Sequence, residues 1–180
     1  MMRRPIILMV LILAAAVCRT PAPAHAAPYL GQRPPGTTPR VFAPGVVSTG
    51  DIIHSRLVVS PDGREMFWTT VDTTSFSTRL LSIREVGGRW TEPGPASFAS
   101  EGSTQTPVFS PDGRRLYFRV RDGKESATVF VERLASGWSA PRRHGAPLDG
   151  SSSFTRSGRV YFSSELPTKI WNTGIFSARL

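Results

Sequence analysis

The chain holds little of what disulfides, thiolate metal sites and histidine catalysis require: one cysteine and three histidines in 180 residues. The cysteine, Cys18, lies in the N-terminal segment, so a chain cleaved after Ala26 contains none. That excludes disulfides and thiolate-bound metal from the mature protein. Export into an oxidising compartment is compatible with this, since disulfides are optional there. His25 leaves with the same segment, and His54 and His144 remain. A Ser-His-Asp set would have to be drawn from these with Ser55 or Asp149, and no G-x-S-x-G elbow marks a nucleophile. Both histidines therefore read as surface or turn residues, and no catalytic residue is assigned. A D-x-D-x-D-G calcium loop is missing as well. No metal and no cofactor is expected.

Charged residues are only 19% of the chain and hydrophobic ones 39%, which still reads as globular rather than disordered. Gly and Pro number 16 each, a turn-rich balance that argues against long helices. The basic residues are 20 Arg and 2 Lys, and the net charge is +9. Without Arg3, Arg4 and Arg19 it is about +6. The arginines are scattered (Arg56, Arg64, Arg79, Arg89, Arg119), with no basic run interleaved with aromatics of the kind that binds single strands. The reading is a solvated basic surface, with no nucleic-acid partner.

The N-terminus is laid out as a secretory signal. Arg3 and Arg4 precede an apolar run from Ile6 to Val17, and small residues follow to Ala24-His25-Ala26. A positive start, a short apolar core and an A-x-A site predict a signal peptide over 1–26 and a periplasmic or secreted product. No transmembrane segment is expected after cleavage, the run being short for a bilayer. Two alternatives stand: a retained anchor, and a lipoprotein anchored through Cys18, although Val17 occupies the position where such signals carry Gly, Ala or Ser. Residues 27–38 are a Pro/Gly-rich lead-in.

An internal repeat organises the rest. Val58-Val59-Ser60-Pro61-Asp62-Gly63-Arg64 recurs as Val108-Phe109-Ser110-Pro111-Asp112-Gly113-Arg114, and more weakly as Ser153-Phe154-Thr155-Arg156-Ser157-Gly158-Arg159. Apolar triplets follow each corner: Met66-Phe67-Trp68, Leu116-Tyr117-Phe118 and Val160-Tyr161-Phe162. A third element recurs as Leu81-Ser82-Ile83-Arg84, Phe130-Val131-Glu132-Arg133 and Phe176-Ser177-Ala178-Arg179. A fourth, led by Trp90 and Trp138, appears in the first two copies. Ser-Pro-Asp-Gly is a tight turn: Pro presets φ, Asp bonds the backbone two residues on, and Gly accepts positive φ. Pro61, Asp62, Gly63, Pro111, Asp112, Gly113 and Gly158 are thus structural turn residues. Each copy predicts a four-stranded antiparallel meander, with strands ending at Ser60, over Met66–Thr70, over Leu80–Val86 and near Trp90. The period is that of propeller blades.

The pattern resembles the WD-repeat-like β-propeller repeat of the TolB-type periplasmic propeller. The resemblance covers about residues 39–180 and departs at the third copy, where Arg156-Ser157 replaces Pro-Asp. It implies an all-β, propeller-like array of about three four-stranded blades, over 51–100, 101–149 and 150–180. It implies no activity, because the fold hosts scaffolds, peptide binders and enzymes alike. Three blades fall below the usual ring of about four to eight. A partial propeller, an open stack whose edges pair with another chain, and another mode of closure all remain open, with 39–48 as a closing strand for the third unit.

Trp90 and Trp138 read as inter-blade packing rather than a sugar platform. Trp171 falls outside the repeat register. The loop carrying it, with Glu165, Lys169 and Asn172, is the candidate ligand-binding surface. The expected function is an exported binding or scaffolding module, with a protein or peptide partner or self-association through open sheet edges. The alternative is a partial or degenerate hydrolase-type propeller acting on glycans or peptides. Glu65, Glu85 and Glu132 do not fall at equivalent strand ends, which disfavours the paired carboxylates a glycosidase needs.

Overall fold

The computed structural model describes residues 28–34, 36–50, 53–99, 103–123, 125–145, 148, 152–165 and 173–179. The signal-peptide reading of 1–26 lies outside these residues.

The first unit runs β1 (Ile53–Val59), β2 (Glu65–Val71), β3 (Thr78–Val86), β4 (Arg89–Trp90) and β5 (Gly94–Pro95). Its sheet is antiparallel in the order β1-β2-β3, and both β4 and β5 pair with the outer side of β3. The second unit repeats it with β6 (Ser103–Phe109), β7 (Arg115–Asp122), β8 (Glu125–Leu134), β9 (Gly137–Trp138) and β10 (Arg142–Arg143). There β9 and β10 share the outer side of β8. The expected fourth strand is present but broken in two. Pro93 and Pro141 stand in the breaks, and a proline has no N–H to continue a ladder, which suits an edge position. The third unit is β11 (Ser153–Phe154), β12 (Arg159–Glu165) and β13 (Thr173–Arg179), in that order. The chain is an all-β array of blade-like antiparallel sheets, as the repeat predicts.

The corners explain why the hairpins form. The Gly63 N–H donates to the Ser60 carbonyl at 2.8 Å, closing the turn, and Gly63 takes φ of 72°. The buried Ser60 hydroxyl donates to Asp62 Oδ1 at 2.5 Å and accepts from the Arg64 and Glu65 N–H groups at 3.1 and 2.9 Å. Asp62 Oδ1 accepts from the Arg64 N–H at 3.1 Å. The second corner repeats this, with Ser110 to Asp112 at 2.6 Å, Asp112 to the Arg114 N–H at 3.0 Å and Gly113 at φ 69°. The third is a shortened version. Thr155 Oγ1 lies 3.0 Å from the Ser157 hydroxyl and accepts from the Arg159 N–H at 3.1 Å, while Gly158 holds φ 82°. Ser157 thus takes the aspartate's place. Replacing Ser60 with Ala strands the Glu65 N–H, and urea unfolding is expected to show a loss of about 1–2 kcal/mol.

The sheets stack face to face, and the two-residue period of the strands sorts the side chains. Phe67 and Leu80 point from the first sheet to Phe109, Leu116, Phe118, Val129 and Val131 of the second, with Ala96 and Phe98 filling between them. Tyr117 and Phe130 point from the opposite face of the second sheet to Val160 and Phe162 of the third. Pro61 of the first corner abuts Gly113 of the second: a Cβ on Gly113 would lie 3.1 Å from Pro61 Cδ.

Residues 39–48, read as a closing strand for the third unit, lie elsewhere. Ala43 and Val47, with Leu30 and Phe42, cover Met66, Trp68 and Ile83 on the free face of the first sheet. The segment's bridge is the isolated pair Pro44–Ser48, and Gln32 Oε1 accepts from the Ala43 N–H at 2.7 Å. It acts as a cap, hiding an apolar terminal face as repeat arrays require. The cause is tertiary: Trp68 is 1% exposed and needs cover on that side.

Candidate functional site

The corner end of the stack opens into a cleft of about 810 Å³ between the second and third sheets. One wall carries Asp112, Arg114 and Arg115 around the second corner and Glu132 and Arg133 from β8. The other carries Phe154 and Arg156 at the third corner. Three guanidinium groups and two carboxylates thus share one wall, and a fourth guanidinium, that of Arg156, stands on the other.

The arginines are held to different degrees. Arg133 Nη2 pairs with Glu65 of the first sheet at 2.9 Å, its Nε donates to the Gly113 carbonyl at 3.2 Å, and its guanidinium lies 4.5 Å from the Trp138 ring centroid. It links the two repeats and is fixed. Arg115 pairs with Glu132 at 2.9 Å, and Arg142 reaches the same carboxylate at 3.3 Å; both lie over the Phe130 ring. Among the described residues no carboxylate forms an ion pair with Arg114 or Arg156.

Hydrogen bonds hold Asp62 and Asp112 below the usual carboxylate range. For Asp62, partial burial pushes upward but is outweighed by the Ser60 hydroxyl, the Arg64 N–H and the Arg133 and Arg64 charges. For Asp112 the Ser110 hydroxyl acts most, then the Arg114 N–H. His144 is shifted down, first by burial and then by the Arg115 charge. Its ring lies 5.4 Å from that of Tyr117, and its buried Nε2 has no hydrogen-bond partner among the described residues. Depressed aspartates stabilise the fold above their unfolded pKa, and that contribution is lost as pH falls through the folded one. A depressed histidine has the same sign, because the unfolded chain takes the proton first. Thermal midpoints are therefore expected to fall in two steps on acidification: below the ordinary histidine range near 6.5, then below the ordinary aspartate range near 3.8. His144→Gln removes the first step, and Asp62→Asn with Asp112→Asn flattens the second.

The loop expected to bind ligand lies for the most part outside the described residues. Lys169, Trp171 and Asn172 lie outside the described residues. Glu165 ends β12, in register with Thr173 of β13. Trp138 packs between sheets, its centroid 6.1 Å from Phe67 and 6.0 Å from Phe98, and Trp90 packs against the capped face of the first sheet. Glu65 and Glu132 are paired as above, and Glu85 pairs with Arg64 at 3.3 Å. All three glutamates are tied to arginines, and Ser110 Oγ is committed to its corner, so the cleft's polar groups suit binding and fixing better than proton transfer. The arginines were missed because they come from separate repeats. The signal for Arg114 and Arg133 was the recurrence of Arg after the corner glycine (Arg64, Arg114, Arg159) and at the end of the third element (Arg84, Arg133, Arg179); Arg115 and Arg156 fall outside both series.

No protein-family model and no curated protein matches the chain. Among solved structures it is similar to a candidate 6-phosphogluconolactonase from Bacteroides fragilis, at 16% sequence identity and a TM-score of 0.37. The match covers 60% of this chain and 31% of that one.

Proposed function

We propose that the chain is an exported, WD-repeat-like module of the TolB propeller kind that binds or scaffolds a protein or peptide partner outside the cytoplasm. The observation that carries the reading is the cleft between the second and third sheets. Its walls come from two repeats, its size suits a few side chains, and its best-anchored arginine is fixed by contacts reaching back to the first sheet. Rigid walls with charged groups at the rim are what a recognition site needs. Export is supported by Arg3 and Arg4, the Ile6–Val17 run and the Ala24-His25-Ala26 site.

The test is a display-selected peptide library screened against the purified chain, with binding mapped by amide chemical shifts. The reading expects perturbations clustered at Arg114, Arg115 and Arg156. It is overturned if no peptide binds, or if peptide or glycan substrates are turned over.

A further inference from the structure

Resting on that reading, we infer that the cleft between the second and third sheets selects a peptide segment in which an apolar side chain is flanked by carboxylates. Arg114 and Arg156 line opposite walls, and neither forms an ion pair with a carboxylate among the described residues; the Arg114 charge acts on Asp112 only from beyond ion-pair distance. A guanidinium matches a carboxylate as a two-point fork. Between them Phe154 and the half-exposed Leu134 offer apolar surface. An entering apolar side chain therefore finds contact area while its acidic neighbours meet the two arginines.

The same cleft argues against a dense polyanion. Asp112 and Glu132 line it, and Asp112 keeps its charge because the Ser110 hydroxyl and the Arg114 N–H hold its proton off. Two fixed negative charges repel a phosphate or sulfate chain, whereas one or two ligand carboxylates can be placed against the arginines alone. A bilayer is flat and does not enter a cleft. Glu132 is already shared by Arg115 and Arg142, which leaves Arg114 and Arg156 as the groups that discriminate.

The experiment is calorimetric titration of the purified chain with the end-capped tripeptides Glu-Phe-Glu, Gln-Phe-Gln and Lys-Phe-Lys, and with heparin. The acidic peptide is expected to bind preferentially, weaken as NaCl is raised, and lose roughly three- to tenfold in affinity in the R114Q/R156Q double variant. Both positions are exposed, and circular dichroism and the thermal midpoint should match the parent. Equal binding of the Gln peptide overturns the inference and leaves the peptide-binding reading standing. Heparin binding more tightly, with the same dependence on Arg114 and Arg156, overturns the choice of a peptide carboxylate. Binding of none of the four overturns the inference, and the library screen then decides the broader reading.

Discussion

Phe67→Ala is expected to be among the most damaging single substitutions in the chain, lowering the free energy of unfolding by about 3–5 kcal/mol. Phe67 is 2% exposed on β2 and lies on the interface between the first two sheets. Its ring centroid is 5.8 Å from those of Phe98 and Phe109 and 6.1 Å from that of Trp138. Those partners come from the end of the first unit, the first strand of the second (β6) and its divided fourth strand (β9). Truncation opens a cavity that none of them can fill without moving a strand, so the loss combines transfer and cavity terms. Typical domains have only about 5–15 kcal/mol in total, so urea curves should shift far toward low denaturant. A loss below about 1 kcal/mol would mean that the two sheets do not meet at this ring.

Gly113→Ala is expected to cost about 2–4 kcal/mol, well above the about 1 kcal/mol expected for Gly63→Ala. Both glycines hold positive φ, at 69° and 72°, so backbone strain is common to both. The difference is the neighbour. A Cβ at 113 would lie 3.1 Å from Pro61 Cδ and 3.3 Å from its Cγ, whereas one at 63 meets nothing within 4 Å. The Gly113 carbonyl also receives Arg133 Nε, which limits how far the loop can retreat. Pro61→Ala in the Gly113→Ala background should recover part of the loss, because it removes the ring atoms in the way. Equal costs at 63 and 113 would contradict the contact between corners.

What was legible in the sequence follows from what is local. The corner at Ser60–Arg64 is set by side chains within five residues of one another, so residue identities alone specify it, and its copy at Ser110 follows. The third corner was readable in outline only; that Ser157 replaces the aspartate as partner of Thr155 emerges with the hydrogen bonds. The division of the fourth strand was latent in Pro93 and Pro141. The role of 39–48 was not legible. The segment reads in sequence as a closing strand for the third unit, but the apolar face of Met66, Trp68 and Ile83 draws Ala43 and Val47 onto the first sheet. The arginine cleft was hidden for the same reason. Arg114, Arg133 and Arg156 are dispersed along the chain, and only the stacking of repeats gathers them. The aromatic that stood out of register, Trp171, lies outside the described residues.

The account depends on consecutive corners being held one against the other. The nuclear Overhauser effect between the Pro61 δ protons and the Gly113 α protons tests this most directly. A strong cross-peak is the expected result, given the closeness of Pro61 Cδ to the space a Gly113 Cβ would fill. A spectrum in which both residues are assigned and each shows contacts only within its own hairpin would contradict the stacked arrangement.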